Sequence, residues 1–170
     1  MPFINKPITR SKQLRKLSRE HHQILLFVWK IRQGITLGIE VKRIASYCTW
    51  YWNNHMNAHS KKEDLLLTRI ISPTKQLMNN MIEDHEAIRT KIDEVMNEPS
   101  YDSLKRLADI IYYHVRFEER VLFPAIERTA TPDQLDAISF YVDDEHVTAE
   151  WQDEFWRAAT PDKKLNNDHE

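Results

Sequence analysis

Two histidine–glutamate pairs stand out among the residues able to do chemistry. HSKKEDLLL at 59–67 sets His59 four residues ahead of Glu63, and HVRFEERVL at 114–122 repeats the spacing with His114 and Glu118. On a helix, positions i and i+4 lie on one face, so each pair can aim an imidazole and a carboxylate at one point. Ahead of each pair stands an acid followed by a histidine, Glu20-His21 and Asp84-His85. The chain therefore reads acid-His then His-x-x-x-Glu, twice. Four imidazoles and two carboxylates crowd a single ion, but they divide easily between two ions that share Glu63 and Glu118. Imidazole with carboxylate suits iron, zinc or nickel; calcium and magnesium prefer oxygen, and soft sites want thiolates. Two non-heme irons fit the bridging-carboxylate arrangement best, with zinc or manganese as alternatives. The expected metal ligands are His21, His59, Glu63, His85, His114 and Glu118, with Asp64 and Glu119 as nearest substitutes for the glutamates.

The remaining histidines rank lower. His22 is rotated from His21 by about 100° of helix, so only one of them can face a core; His21 aligns with His85 and is preferred. His55, four residues before His59, is read as a structural residue, with a group supporting the ligands, an adventitious ligand or a gate as the alternatives. Tyr51 and Tyr113 are candidates to border the site. His146 and His169 are not expected to be ligands.

Helices must position these groups. Two glycines in 170 residues, with prolines mostly at boundaries, exclude a turn-rich β architecture. Periodicity and caps predict helices over about 9–33, stopping at Gly34, and over 41–71. Ser72-Pro73 opens a third to 97, followed by 101–129 and, after Thr131-Pro132, 132–159. Pro124 is expected to kink or end the fourth. The expected fold is all-α: one domain over 1–160, with an antiparallel up-down four-helix bundle (9–130), an additional C-terminal helix (132–159) and a polar tail (161–170). Trp151, Phe155 and Trp156 on that extra helix are expected to pack outside or to form a partner surface, such as a homodimer contact. His21, His59, His85 and His114 all fall about 12 or 13 residues from a turn, roughly 18–20 Å, so they share one layer. That holds if residues 34–42 are largely irregular.

A formal charge of −2 and a pI near 6.5 leave no footprint for nucleic acid. The basic run at 10, 12, 15, 16 and 19 is read as a solvated helix face. One cysteine, Cys48, excludes an intrachain disulfide and a thiolate zinc site. No stretch is apolar enough for a leader or a membrane span, so the chain is expected to be cytoplasmic.

LSREHHQILL, HSKKEDLLL, MIEDHEAI and HVRFEERVLFPAIE together resemble the hemerythrin family, in its bacterial His-His-Glu cation-binding branch. The most specific feature is H-x-x-x-E followed by L-F-P on a helix. The resemblance implies a di-iron centre inside an up-down bundle, able to bind dioxygen or related ligands such as peroxide or nitric oxide. Two departures matter. Oxygen carriers of the family place another histidine where this chain has Arg89, and their acid lies five residues beyond the fourth helix's histidine, which makes Glu119 a rival to Glu118. With four histidines, one metal keeps an extra open position, which favours redox, sensing or peroxide chemistry over oxygen carriage. The alternatives are a di-iron peroxidase or nitric oxide reductase, and a helical interaction module whose site is zinc-filled or vestigial.

Overall fold

The structure, a computed structural model, describes residues 9–68, 75–141 and 150–157. It is all-helical, with no strand among the described residues, and none of these helices is long and apolar enough to cross a membrane. Helix α1 spans Arg15–Thr36. Helix α2 (Val41–Tyr51), a π turn (Trp52–Met56) and α3 (Asn57–Leu67) follow one another without a break in helical backbone. Helix α4 is Lys75–Asn97. Helix α5 (Tyr101–Phe117), a second π turn (Glu118–Leu122) and α6 (Phe123–Thr129) form another unbroken rod, and α7 is Pro132–Tyr141.

The expected stop at Gly34 lies one turn too early. Gly34 is helical, and the chain turns at Gly38, whose φ of 66° is the left-handed conformation that glycine adopts without a steric penalty. The Gly38 N–H donates to Ile35 O (3.0 Å) and the Ile39 N–H to Gly34 O (3.0 Å). Irregular backbone is thus confined to residues 37–40, a shorter gap than 34–42. At the start of α5, Ser100 and Ser103 cap each other reciprocally. Thr131 and Gln134 do the same at α7, where the Thr-Pro signal placed a helix start. Ser72-Pro73 lies outside the described residues.

Pro124 does not end its helix. The π turn directly ahead widens the backbone, with the Phe123 N–H reaching Glu118 O, and so relieves the clash a proline makes with the preceding turn. The C-terminal helix does not run through 132–159: α7 is described over Pro132–Tyr141, and residues 150–157 are irregular and end in a turn. This segment does not lie outside the core. Phe155 is 2% exposed and packs against Gly34 and Ile44, while Trp151 and Trp156 join Tyr47 in an aromatic cluster. Burying Phe155 and half-burying Trp151 and Trp156 outweighs the local helix preference of the residues between them.

Two apolar layers fill the interior, and each long rod passes through both. Helix α1 goes from Leu14 and Leu17 in one layer to Ile24, Phe27, Val28 and Ile31 in the other. The α2–α3 rod crosses in reverse, from Ile44 and Tyr51 to Leu66 and Leu67. Helix α4 crosses from Met78 and Met81 to Ile88 and Ile92, and the α5–α6 rod returns from Leu107 and Ile111 to Leu122 and Ile126. Helix α1 packs along α5, as does α4. His21, His59 and His85 fall between the two apolar stretches of their own rods and His114 at the end of the first stretch of its rod, beside Val115, so a buried polar layer lies between the apolar ones.

Candidate metal centre

Each rod supplies this layer from one face. His21 on α1, His59 and Glu63 on α3, His85 on α4, His114 on α5 and Glu118 in the second π turn are all buried, and the structure brings the six together. Glu63 presents Oε1 to His21 Nε2 (3.2 Å) and Oε2 to Nε2 of His59 (3.2 Å) and His85 (3.4 Å). Glu118 presents Oε2 to Nε2 of His21 (3.0 Å) and His114 (3.4 Å), with Oε1 3.9 Å from His85 Nε2. Both carboxylates therefore reach both halves of the layer. Two groups of four converge, His21, His59, Glu63, Glu118 and Glu63, His85, His114, Glu118, each with its ligand atoms within 4.8 Å of one another.

Glu119 is placed elsewhere. Its carboxylate takes the opposite ring nitrogen of His21, accepting from Nδ1 at 2.7 Å. The same role recurs at every histidine. His59 Nδ1 donates to Glu20 (2.6 Å), His85 Nδ1 to Asp64 (2.7 Å) and His114 Nδ1 to Asp84 (3.3 Å). A carboxylate at Nδ1 fixes the tautomer and turns the Nε2 lone pair inward, as is usual for a metal-bound histidine. The pattern keeps the twofold logic of the sequence. The acid before each lone histidine serves the paired histidine of its own half, and the acid after each ligand glutamate serves the lone histidine of the other half. Asp64 and Glu119 thus support the rings; as substitutes for Glu63 and Glu118 they sit on the wrong side of them.

The charges in this layer act strongly on one another. Burial opposes charge on Glu63, yet the imidazoles of His59, His21 and His85 outweigh it and hold the carboxyl well below its ordinary value. Burial also opposes charge on His85, but Asp64, Glu63 and Glu118 push the ring up to about 10. His21 and His59 are raised for the same reason by their own carboxylates. Even so, His59 Nε2, His85 Nε2, Glu63 Oε2 and both carboxylate oxygens of Glu118 are buried with no hydrogen-bond partner of adequate geometry. Leaving one buried polar group unpaired costs about 1–3 kcal/mol, and more when it is charged. Five such atoms facing one small volume fit a set of cations held by nitrogen and oxygen donors.

Other expected residues fall away from the centre. His22 is exposed, and Tyr113, 69% exposed, does not border the layer. Tyr51 stacks on Phe27 (4.1 Å between ring centroids) and on His55 (4.9 Å), in the apolar layer next to the site. His55 lies in the first π turn, on a cleft shared with His59, Glu20 and Lys62. Arg89 points to solvent and pairs with Glu86. His146 and His169 lie outside the described residues. Arg10 corrects the reading of the basic run: it is buried, donating to the Glu119 carboxylate (2.7 Å), the Glu119 carbonyl (2.7 Å) and Glu127 (3.0 Å). No local spacing relates Arg10 to Glu119 or Glu127, more than a hundred residues away, so only the fold reveals it.

Comparisons with curated proteins and with solved structures gave no match. Residues 12–126 match the family described as the hemerythrin HHE cation binding domain, a span that contains all six converging side chains and the four acids behind them. The chain belongs to the hemerythrin HHE cation-binding domain family.

Proposed function

We propose that the protein is a hemerythrin-like, metal-binding protein that holds two non-heme irons, with His21, His59, His85 and His114 as terminal ligands and Glu63 and Glu118 as bridges. It binds or senses dioxygen or a related small ligand, peroxide or nitric oxide. The observation that carries the reading is the pair of four-residue groups sharing both glutamates. An antiparallel up-down four-helix arrangement accompanies it, supported by the alternating order in which the rods cross the two apolar layers. When bound, the irons supply reversible redox chemistry and open positions for a small ligand. The chain's own residues do the rest. Glu20, Asp64, Asp84 and Glu119 orient the rings, and the apolar layers around Ile24, Ile88, Leu122 and Phe123 exclude water from them.

Metal analysis and optical spectra of aerobically purified protein test this reading. Two irons per chain, with a visible or near-ultraviolet band that responds to dioxygen or nitric oxide, are expected. A helical protein that contains no metal and cannot be loaded with iron would refute it.

A second reading, a di-iron redox enzyme such as a peroxidase or nitric oxide reductase, draws on Arg89. Its side chain points outward and adds no donor to the four histidines, so a bound metal would keep an extra open position. Multiple-turnover assays with peroxide and with nitric oxide decide between the two.

A further inference from the structure

The two groups of four have identical donor composition, two imidazoles and the same two shared carboxylates. Any difference between them must therefore come from what lies behind the rings, and there they differ. His21 and His59 donate to Glu119 (2.7 Å) and Glu20 (2.6 Å), whose side chains are 11% and 29% exposed. Each of these acids has a second support. The Ser18 hydroxyl (2.6 Å) and the Arg10 guanidinium (2.7 Å) hold Glu119, and the Lys62 ammonium lies 3.3 Å from Glu20. His85 and His114 donate instead to Asp64 (2.7 Å) and Asp84 (3.3 Å), which are 38% and 41% exposed. Neither aspartate's carboxylate has a second hydrogen-bond partner among the described residues.

Charge-assisted hydrogen bonds strengthen as water is removed, whereas a solvent-facing carboxylate divides its time between the ring and water and is screened by salt. Loss of such a support costs a metal site about 10–100-fold in affinity. Arg10 does not cancel this advantage by repelling a cation, because Glu127 matches its charge at 3.0 Å.

We infer that the two metal positions are inequivalent: the His21/His59 position holds its ion tightly, and the His85/His114 position holds an exchangeable one. Glu119 and Glu20 act as positioning residues for the tight position, and Asp64 and Asp84 for the exchangeable one. The inference rests on the two-metal reading above, and its test separates the two failures.

The experiment is a calorimetric titration of metal-free protein with Co(II), fitted to stepwise constants, with helicity checked for each variant by circular dichroism. The wild type is expected to show two constants at least about 10-fold apart. Glu119→Gln should drop the first constant toward the second, and Glu20→Gln, which leaves the Arg10 contacts intact, should do the same. Asp84→Asn should lower the second constant alone. Equal sites that merely repel each other predict otherwise, because the first ion then takes whichever position is unaltered. First constants within twofold of wild type in both Glu119→Gln and Glu20→Gln, or a lowered first constant in Asp84→Asn, would overturn the inference. A helical wild type that binds no Co(II) would overturn the metal reading itself.

Discussion

Glu119 and Glu118 are adjacent in the chain, yet they address opposite nitrogens of the same ring: Glu118 Oε2 lies 3.0 Å from His21 Nε2, and Glu119 Oε1 lies 2.7 Å from His21 Nδ1. The first contact faces the centre and the second braces it from behind. Substitutions of the two should therefore differ in kind. Glu118→Ala or Glu63→Ala removes a carboxylate that serves both groups of four, and should lose both metals. Glu119→Gln should keep two binding events and weaken one by about 10–100-fold. His21→Ala should lose metal while His22→Ala retains it. Metal content by mass spectrometry after desalting checks all of these.

The metal-free protein should have a stability optimum in mildly acidic solution. His85 is raised from 6.5 to about 10, and His21 and His59 are raised too, so their contributions are complete below pH 6.5 and fade as the pH rises through the folded values. Glu119 is lowered from 4.5 to about 2 by His21, Ser18 and Arg10 against the opposing effect of burial, so its contribution is complete above pH 4.5 and fades below. The unfolding temperature should peak between about pH 4.5 and 6.5 and decline toward pH 10. Bound metal replaces the protons on the rings, so loaded protein should lose the alkaline decline. Calorimetric scans of both forms across this range are the check.

Arg10 ties the segment before α1 to the α6 end of the last rod. Three of its four hydrogen bonds bridge Glu119 and Glu127, the fourth goes to Ser18 Oγ (3.3 Å), and the Ser11 N–H adds a bond to Glu127 Oε1 (2.6 Å). Arg10→Met leaves a buried carboxylate without its cation, a change that typically costs about 3–5 kcal/mol. Urea unfolding should show a loss of that order; a loss below about 1 kcal/mol would mean that water replaces the guanidinium.

Gly34→Ala sets helix propensity against packing. Alanine in a helix interior gains about 1 kcal/mol over glycine. A Cβ here, however, would stand 2.7 Å from the Phe155 ring and 3.0 Å from Ile44 Cδ1. Displacing Phe155 forfeits about 1.5–3 kcal/mol of burial. The net expectation is destabilisation by about 0.5–2 kcal/mol, with red-shifted fluorescence as Trp151 and Trp156 leave their aromatic neighbours.

Cys48 is fully buried, and desolvation pushes its thiol far above the ordinary range. An aromatic disulfide reagent should leave native protein unlabelled and label one thiol after unfolding. Rapid labelling under native conditions would contradict this packing.

The sequence by itself determined the helical class and the six side chains that converge in the buried layer. Helical spacing couples His59 to Glu63 and His114 to Glu118 through local geometry, and counting residues to the turns places four histidines near one depth, although the count for His21 starts from Gly34, one turn short of the turn at Gly38. Both signals are short-range and survive without knowledge of the partner helices. The tertiary structure decided what depends on contacts between rods. It chose Glu118 over Glu119 for the inward position, because the π turn sets where each side chain leaves the helix. It carried the chain through Gly34 to Gly38, because Phe155 packs on the bare backbone there. It buried Phe155, set Trp151 and Trp156 half-buried against Tyr47, and drew Arg10 out of an apparently solvated basic run into a buried bond with Glu119. In each case the deciding partner lies tens of residues away or in a backbone register that no local pattern records. Burial and hydrogen-bond pairing, which exist only once the rods are assembled, settle the choice.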